Sequence, residues 1–139
     1  MPSVFTRIIM GEIPSHRIYE DALVVGFLDI APLSPGHALL VPREERAMVH
    51  ELSDASAAAL GAALPRVARA LLGATGATAY NVLINNGALA HQEVPHVHAH
   101  IIPRLADGQG LRLDWRAGTV DHARAADLAA RVRALLAGA

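Results

Sequence analysis

The chain has 139 residues, 53% hydrophobic and 18% charged, with a formal net charge of −1. That length accommodates one domain with a single buried core, and the composition is that of a globular rather than a disordered chain. The near-neutral balance excludes a basic footprint for nucleic acid or an anionic membrane surface, and the absence of cysteine excludes disulfides, thiolate catalysis and cysteine-ligated zinc.

In chain order, Phe5, Ile8 and Ile9 fall at helical spacing within 4–10, and Gly11 supplies a stop. Arg17-Ile18-Tyr19 and Val24–Leu28 read as two strands of a hairpin turning at Glu20-Asp21. Residues 29–36 carry two prolines and a glycine and predict a loop. His37–Val41 is a third strand, closed by Pro42. Ser53 can cap a helix to about Leu72 with an apolar stripe of Leu60, Leu64, Val67 and Leu71, kinked at Pro65 and ended by Gly73 and Gly76. Residues 79–84 form a fourth strand and 85–92 a loop.

The fifth strand is predicted from His96-Val97-His98-Ala99-His100-Ile101, where three histidines alternate with apolar residues before Pro103. Strict alternation places Val97, Ala99 and Ile101 toward a core and the three imidazoles in a row on the other face. At about 3.3 Å of rise per residue, neighbouring imidazoles are rooted roughly 7 Å apart, a spacing that can flank a phosphate. Past Pro103 the chain is expected to be irregular to Gly118. Asp121 then caps a last helix that buries Leu128, Val132, Leu135 and Leu136. Five strands with short connections point to an α+β fold with a five-stranded antiparallel sheet and flanking helices.

Three imidazoles in a row admit two chemistries. Histidines at i and i+2 can share a metal ion, and a neutral imidazole can act as a nucleophile steadied by its neighbours. All 12 basic residues are arginine, so Schiff-base chemistry and a P-loop lysine are excluded. No apolar run approaches the length of a membrane span, and residues 1–7 lack a signal-peptide layout, which predicts a soluble cytoplasmic protein without a membrane partner. His16, His50 and His122 are expected on the surface.

The triad and its surroundings resemble the histidine triad family of nucleotide hydrolases and transferases. The likeness extends through Phe5–Ile9 with Glu12-Ile13-Pro14, Phe27–Ile30, Pro35–Pro42, Asn85-Asn86-Gly87 and Gln92–Arg104, in the family's order from about residue 4 to residue 104. It implies a single domain over 1–139, with 105–139 as a C-terminal extension, and a homodimer whose sheets join across a two-fold axis. By this resemblance His98 is the nucleophile that attacks the α-phosphate of a purine nucleotide. His100 and His37 would bond phosphate oxygens and the reacting imidazole, and His96 would orient the row. Asp29 would take the ribose hydroxyls, and Phe5, Ile8, Phe27, Ile30 and Leu39 would line the base slot. Asn85 and Gln92 would offer amides to phosphate or ribose. No metal or other cofactor is implied.

Three departures from the family pattern are visible. Glu93 stands where phosphoramidase members carry serine or threonine, and His91 where the family has glycine. Ser3 and Thr6 stand at the spacing where some bacterial members have zinc-binding cysteines. Glu93 and His91 make a non-catalytic nucleotide-binding module the alternative to a hydrolase, and a metal-dependent hydrolase on the three imidazoles a second one. Trp115 is expected to pack on its own subunit, or else to reach the partner's site.

Overall fold

The computed structural model describes residues 1–139. Helix α1 covers Val4–Ile9, and the Oγ of Ser3 caps it by accepting the Thr6 N–H at 3.0 Å. Strands β1 (Arg17–Glu20) and β2 (Val24–Leu28) form the expected hairpin, in which Asp21 Oδ1 accepts the N–H groups of Leu23 and Val24. Strand β3 (Ala38–Pro42), helix α2 (Asp54–Thr75), strands β4 (Ala79–Leu83) and β5 (Ala99–Arg104) and helix α3 (His122–Ala137) follow. The five strands make one antiparallel sheet in the order β1-β2-β3-β5-β4.

Period-two alternation gives this sheet two different faces. Val24, Ala38, Leu40, Val97, Ala99 and Ile101 point one way and meet Leu60, Ala63, Val67, Ala68 and Leu71 of α2, forming the larger core. Gly26 leaves room on this face for its strand neighbours, since an added Cβ would sit 2.7 Å from a methyl carbon of Leu40. Val25, Phe27, Leu39 and Val41 point the other way and are covered by Phe5 of α1. Because α1 has only six residues, it roofs part of this second face and leaves the rest open for a site.

Several boundaries differ from the sequence expectation. β5 begins at Ala99, so His96, at a bend, and His98 both precede it and only His100 is in the ladder. Pro103 does not stop the strand, which continues to Arg104. The Pro103 carbonyl accepts the Ser34 hydroxyl at 2.6 Å on the side of β3, so its missing N–H faces the same side, beyond the last β3 partner, Ile101. α2 runs as one element through Pro65 and past Gly73, ending at Gly76 in the left-handed region (φ 75°). The 22-residue α2 is, by length and composition alone, apolar enough to cross a bilayer. It instead packs one face on the sheet and turns Arg66 and Arg69 to solvent.

The largest correction concerns α3. Leu128, Val132, Leu135 and Leu136 are exposed rather than buried, at 45–76% of their surface. Trp115, 83% exposed, does not pack on its own subunit either. The 3.6-residue period marked an amphipathic helix correctly, but periodicity cannot say which molecule the apolar stripe faces.

Candidate active site

His96, His98 and His100 do share one face of the chain, as alternation requires, but they are used in three different ways. The His98 Nδ1–H donates to the His96 carbonyl oxygen at 2.7 Å. That bond fixes the tautomer: the neutral ring keeps its lone pair on Nε2. Phe5 and His100 meet the ring edge-on at centroid distances of 4.8 and 4.9 Å. Burial pushes the His98 pKa down, against the smaller opposing effects of the His96 carbonyl, Asp29 and Glu93, so the ring is neutral at neutral pH.

A second chain of bonds fixes His100. The Leu33 backbone N–H donates to His37 Nδ1 at 3.0 Å, which leaves the proton of neutral His37 on Nε2. That N–H donates to His100 Nδ1 at 2.9 Å, so neutral His100 carries its own proton on Nε2. The result is a free lone pair at His98 Nε2 beside a donor at His100 Nε2. Burial is the first cause that lowers both groups, and for His100, with the neighbouring imidazoles adding to it, the pKa is pushed down to about 4. Asp29 Oδ2 lies 3.4 Å from His37 Nε2, and Asp29 Oδ1 accepts the Ala31 N–H at 2.8 Å. Asp29 is thereby held at the end of β2 facing the row.

His96 is fully buried and does not line the cavity. Its Nε2–H donates to the Pro42 carbonyl at 2.7 Å, and its Nδ1 accepts the Ser3 hydroxyl at 2.6 Å. Glu45 in turn accepts the Ser3 N–H and the Thr6 hydroxyl. Ser3 and Thr6 thus join His96 in a hydrogen-bonded staple that ties α1 to the end of β3. His96 is therefore held among these bonds and away from the cavity.

The remaining candidates surround a cavity of about 870 Å³, a volume suited to a nucleotide-sized ligand. Phe5, Ile8, Phe27, Asp29, Ile30, Leu39 and Asn85 all line it together with His37, His98 and His100. Gln92 does not. Its Oε1 accepts the Gly87 N–H and its Nε2 donates to the carbonyls of Ala47 and Val94, so the amide is spent on pinning its own loop. Leu111, Arg112 and Leu113 of the C-terminal segment also line the cavity and were missed, since nothing periodic marks them. His16, His50 and His122 are exposed, as expected.

Both unusual loop residues reach the cavity wall. His91 is the one non-glycine residue with positive φ (66°, ψ 26°), so it keeps the backbone shape a glycine would adopt, at a cost in strain. Glu93 lines the cavity with its carboxylate in no hydrogen bond or ion pair within the chain.

Metal chemistry on the three triad imidazoles does not fit this geometry, because His96 spends both nitrogens elsewhere. The donor atoms of Asp29, His37 and His100 lie within 4.8 Å of one another, a cluster that could in principle hold an ion. A cation on His37 Nε2 would, however, move that ring's proton to Nδ1, directly against the Leu33 N–H.

Known proteins resemble this chain in sequence and in fold. A family model described as the HIT domain matches residues 10–107. The chain is 47% identical over 115 residues to the adenosine 5′-monophosphoramidase of Schizosaccharomyces pombe, covering 83% of this chain and 84% of that one. Among solved structures, a hypothetical protein from Leishmania major superposes with a TM-score of 0.92 at 42% identity, covering 99% and 97% of the two chains. The histidine triad nucleotide-binding protein of Candida albicans gives a TM-score of 0.89 at 34% identity over 99% of each chain.

Proposed function

This chain belongs to the HIT-domain family, and from that premise we propose that it hydrolyses a nucleoside 5′-phosphoramidate or related adenylate through a nucleotidyl-histidine intermediate. A relative at 47% identity is named an adenosine 5′-monophosphoramidase, and the activity of this chain is a nucleotide hydrolase of that kind. The observation that carries the mechanism is the pairing of a free lone pair on His98 Nε2 with a donor on His100 Nε2.

In this reading the α-phosphate lies against the two imidazoles. His98 Nε2 attacks phosphorus, the bond from phosphorus to the leaving nitrogen breaks, and its electron pair departs with that nitrogen, which takes a proton from solvent to leave as the amine. His100 Nε2–H bonds a non-bridging oxygen as charge builds there. Water then attacks the same phosphorus, the bond to His98 breaks, and nucleoside 5′-monophosphate is released. Asp29 holds the ribose hydroxyls, Asn85 bonds ribose or phosphate, and Phe5, Ile8, Phe27, Ile30 and Leu39 bracket a purine base. No cofactor takes part, and the compartment is the cytoplasm.

The functional unit is a homodimer. Edge strand β1 is guarded by charge, with Arg17 paired to Glu20, whereas edge strand β4 is uncharged and exposes Tyr80 and Val82. A second copy pairing along β4 would continue the sheet, and it would offer a surface to the apolar stripe of α3. Turnover of an adenosine 5′-phosphoramidate by the wild type that disappears in His98→Ala, with mononucleotide binding kept, tests the reading. Tight binding without turnover in the wild type would point to the non-catalytic module instead.

A further inference from the structure

The charged residues around the cavity are arranged unequally along the sheet. Asp29 comes from the connection between β2 and β3, one residue past the pairs Leu28–Ala38 and Ala38–Ile101, and its N–H donates to the His37 carbonyl on the side toward the C-terminal end of β5. Arg112 lies at that same end, since it also borders a small hollow with Pro32, Leu33 and Gly108–Gly110. Glu93 comes from the connection between β4 and β5, at the opposite end, where Leu83 pairs with His100 and the chain enters β5. His98 and His100 lie between the two ends. Asp29 acts electrostatically on His37, His98 and His100, whereas Glu93 acts on His98 alone.

The end that Glu93 occupies is firmly built. The Gln92 side chain ties the loop to Gly87, Ala47 and Val94, and Val49 N–H donates to Asn86 Oδ1. His91 is held there in the left-handed region despite its side chain. A strained backbone persists when its surroundings over-determine it, and such positions gather at functional sites. This loop therefore presents an unpaired carboxylate, beside His91, to a cavity read above as binding a phosphate. Arg112, the cavity's one arginine, is at the far end.

We propose that Glu93, on the same cavity-lining loop as His91, forms a leaving-group subsite that selects amines carrying a positive charge. The inference rests on the hydrolase reading: with the nucleoside toward Asp29 and the α-phosphate at the imidazoles, the β4–β5 end is what remains for the departing group. A cationic group on that amine finds a solvent-accessible carboxylate with no partner in the chain. An anionic leaving group such as a phosphate or a carboxylate-bearing amine meets like charge instead. The favoured substrate class is a nucleoside 5′-phosphoramidate of a diamine or of a basic amino-acid side chain, and polyphosphate leaving groups are disfavoured.

Three adenosine 5′-phosphoramidates of equal length test this, their amines ending in an ammonium, a methyl or a carboxylate group. Values of kcat/KM are compared for the wild type, Glu93→Gln and Glu93→Arg at low and raised salt. The wild type should prefer ammonium over methyl over carboxylate by about tenfold at each step, shrinking as salt screens the charge. Glu93→Gln should collapse the order and Glu93→Arg invert it. A wild-type order that survives unchanged in Glu93→Gln overturns the subsite. Failure of the wild type to turn over even the methyl compound overturns the hydrolase reading beneath it, a different result in a different arm.

Discussion

His37 Nε2–H donates to His100 Nδ1 at 2.9 Å, while His37 Nδ1 is itself held by the Leu33 N–H. One backbone amide therefore decides, through two rings, that His100 offers a proton to the cavity. His37→Ala should leave His100 free to change tautomer and lower kcat by about tenfold, against about 100-fold for His100→Ala, which removes the donor itself. Steady-state kinetics on both variants checks the ranking; equal losses would mean that His37 contacts substrate directly.

The acid limb of catalysis should fall below the ordinary histidine range. Burial lowers His37, His98 and His100 from the usual 6.5, with His100 pushed down to about 4. The neutral rings that the mechanism needs thus persist as pH falls through 6.5. The sign for stability follows from the same shifts. Below 6.5 the unfolded chain takes up protons that the folded chain refuses, so folding stability is full above that pH and declines from about 6.5 toward 4. A kcat/KM profile and denaturant titrations across this window measure both.

Ser3 serves two bonds, one as helix cap and one to His96. Ser3→Ala should cost about 1–2 kcal/mol, more than an isolated cap, because the buried His96 Nδ1 loses its donor. Urea unfolding of the variant provides the value, with kcat expected to fall less than in His100→Ala.

His91→Gly should stabilise the fold by about 0.5–1 kcal/mol, since it removes left-handed strain from a residue with a Cβ and returns part of that gain as unfolded-chain entropy. Thermal unfolding of the purified variant tests this. A loss of stability would mean that the imidazole makes contacts worth more than the strain.

A charge on the β4 edge or on the stripe of α3 should separate the dimer. Val82→Lys and Leu135→Glu are expected to sediment as monomers where the wild type sediments as a dimer. A monomeric wild type would contradict the assembly proposed above.

The alternation of His96 to Ile101 foretold the faces of β5 because period two is a property of extended backbone, whether or not a neighbour pairs with it. It did not reveal that β3 stops pairing before His98, since a ladder depends on where another strand ends. Asp29 and His37 were legible only through family likeness: their 3.4 Å approach joins residues eight apart across a loop. Gln92 was misread because an amide in a loop can face ligand or backbone, and three local bonds decided it. The stripe on α3 was seen but assigned to the wrong surface, because a hydrophobic period carries no address. Leu111, Arg112 and Leu113 reach the cavity from a segment without regular structure, where sequence offers no period to follow.

The most direct test of the account is to trap the intermediate. Wild type and His98→Ala would be mixed with excess adenosine 5′-phosphoramidate, quenched at alkaline pH within the first turnover, digested and examined by mass spectrometry. The account predicts one nucleotidyl group on the wild-type peptide that contains His98, bound to that imidazole, and none in the variant. Rapid turnover by the wild type with no nucleotidyl peptide, or a nucleotidyl group on His100, would contradict it.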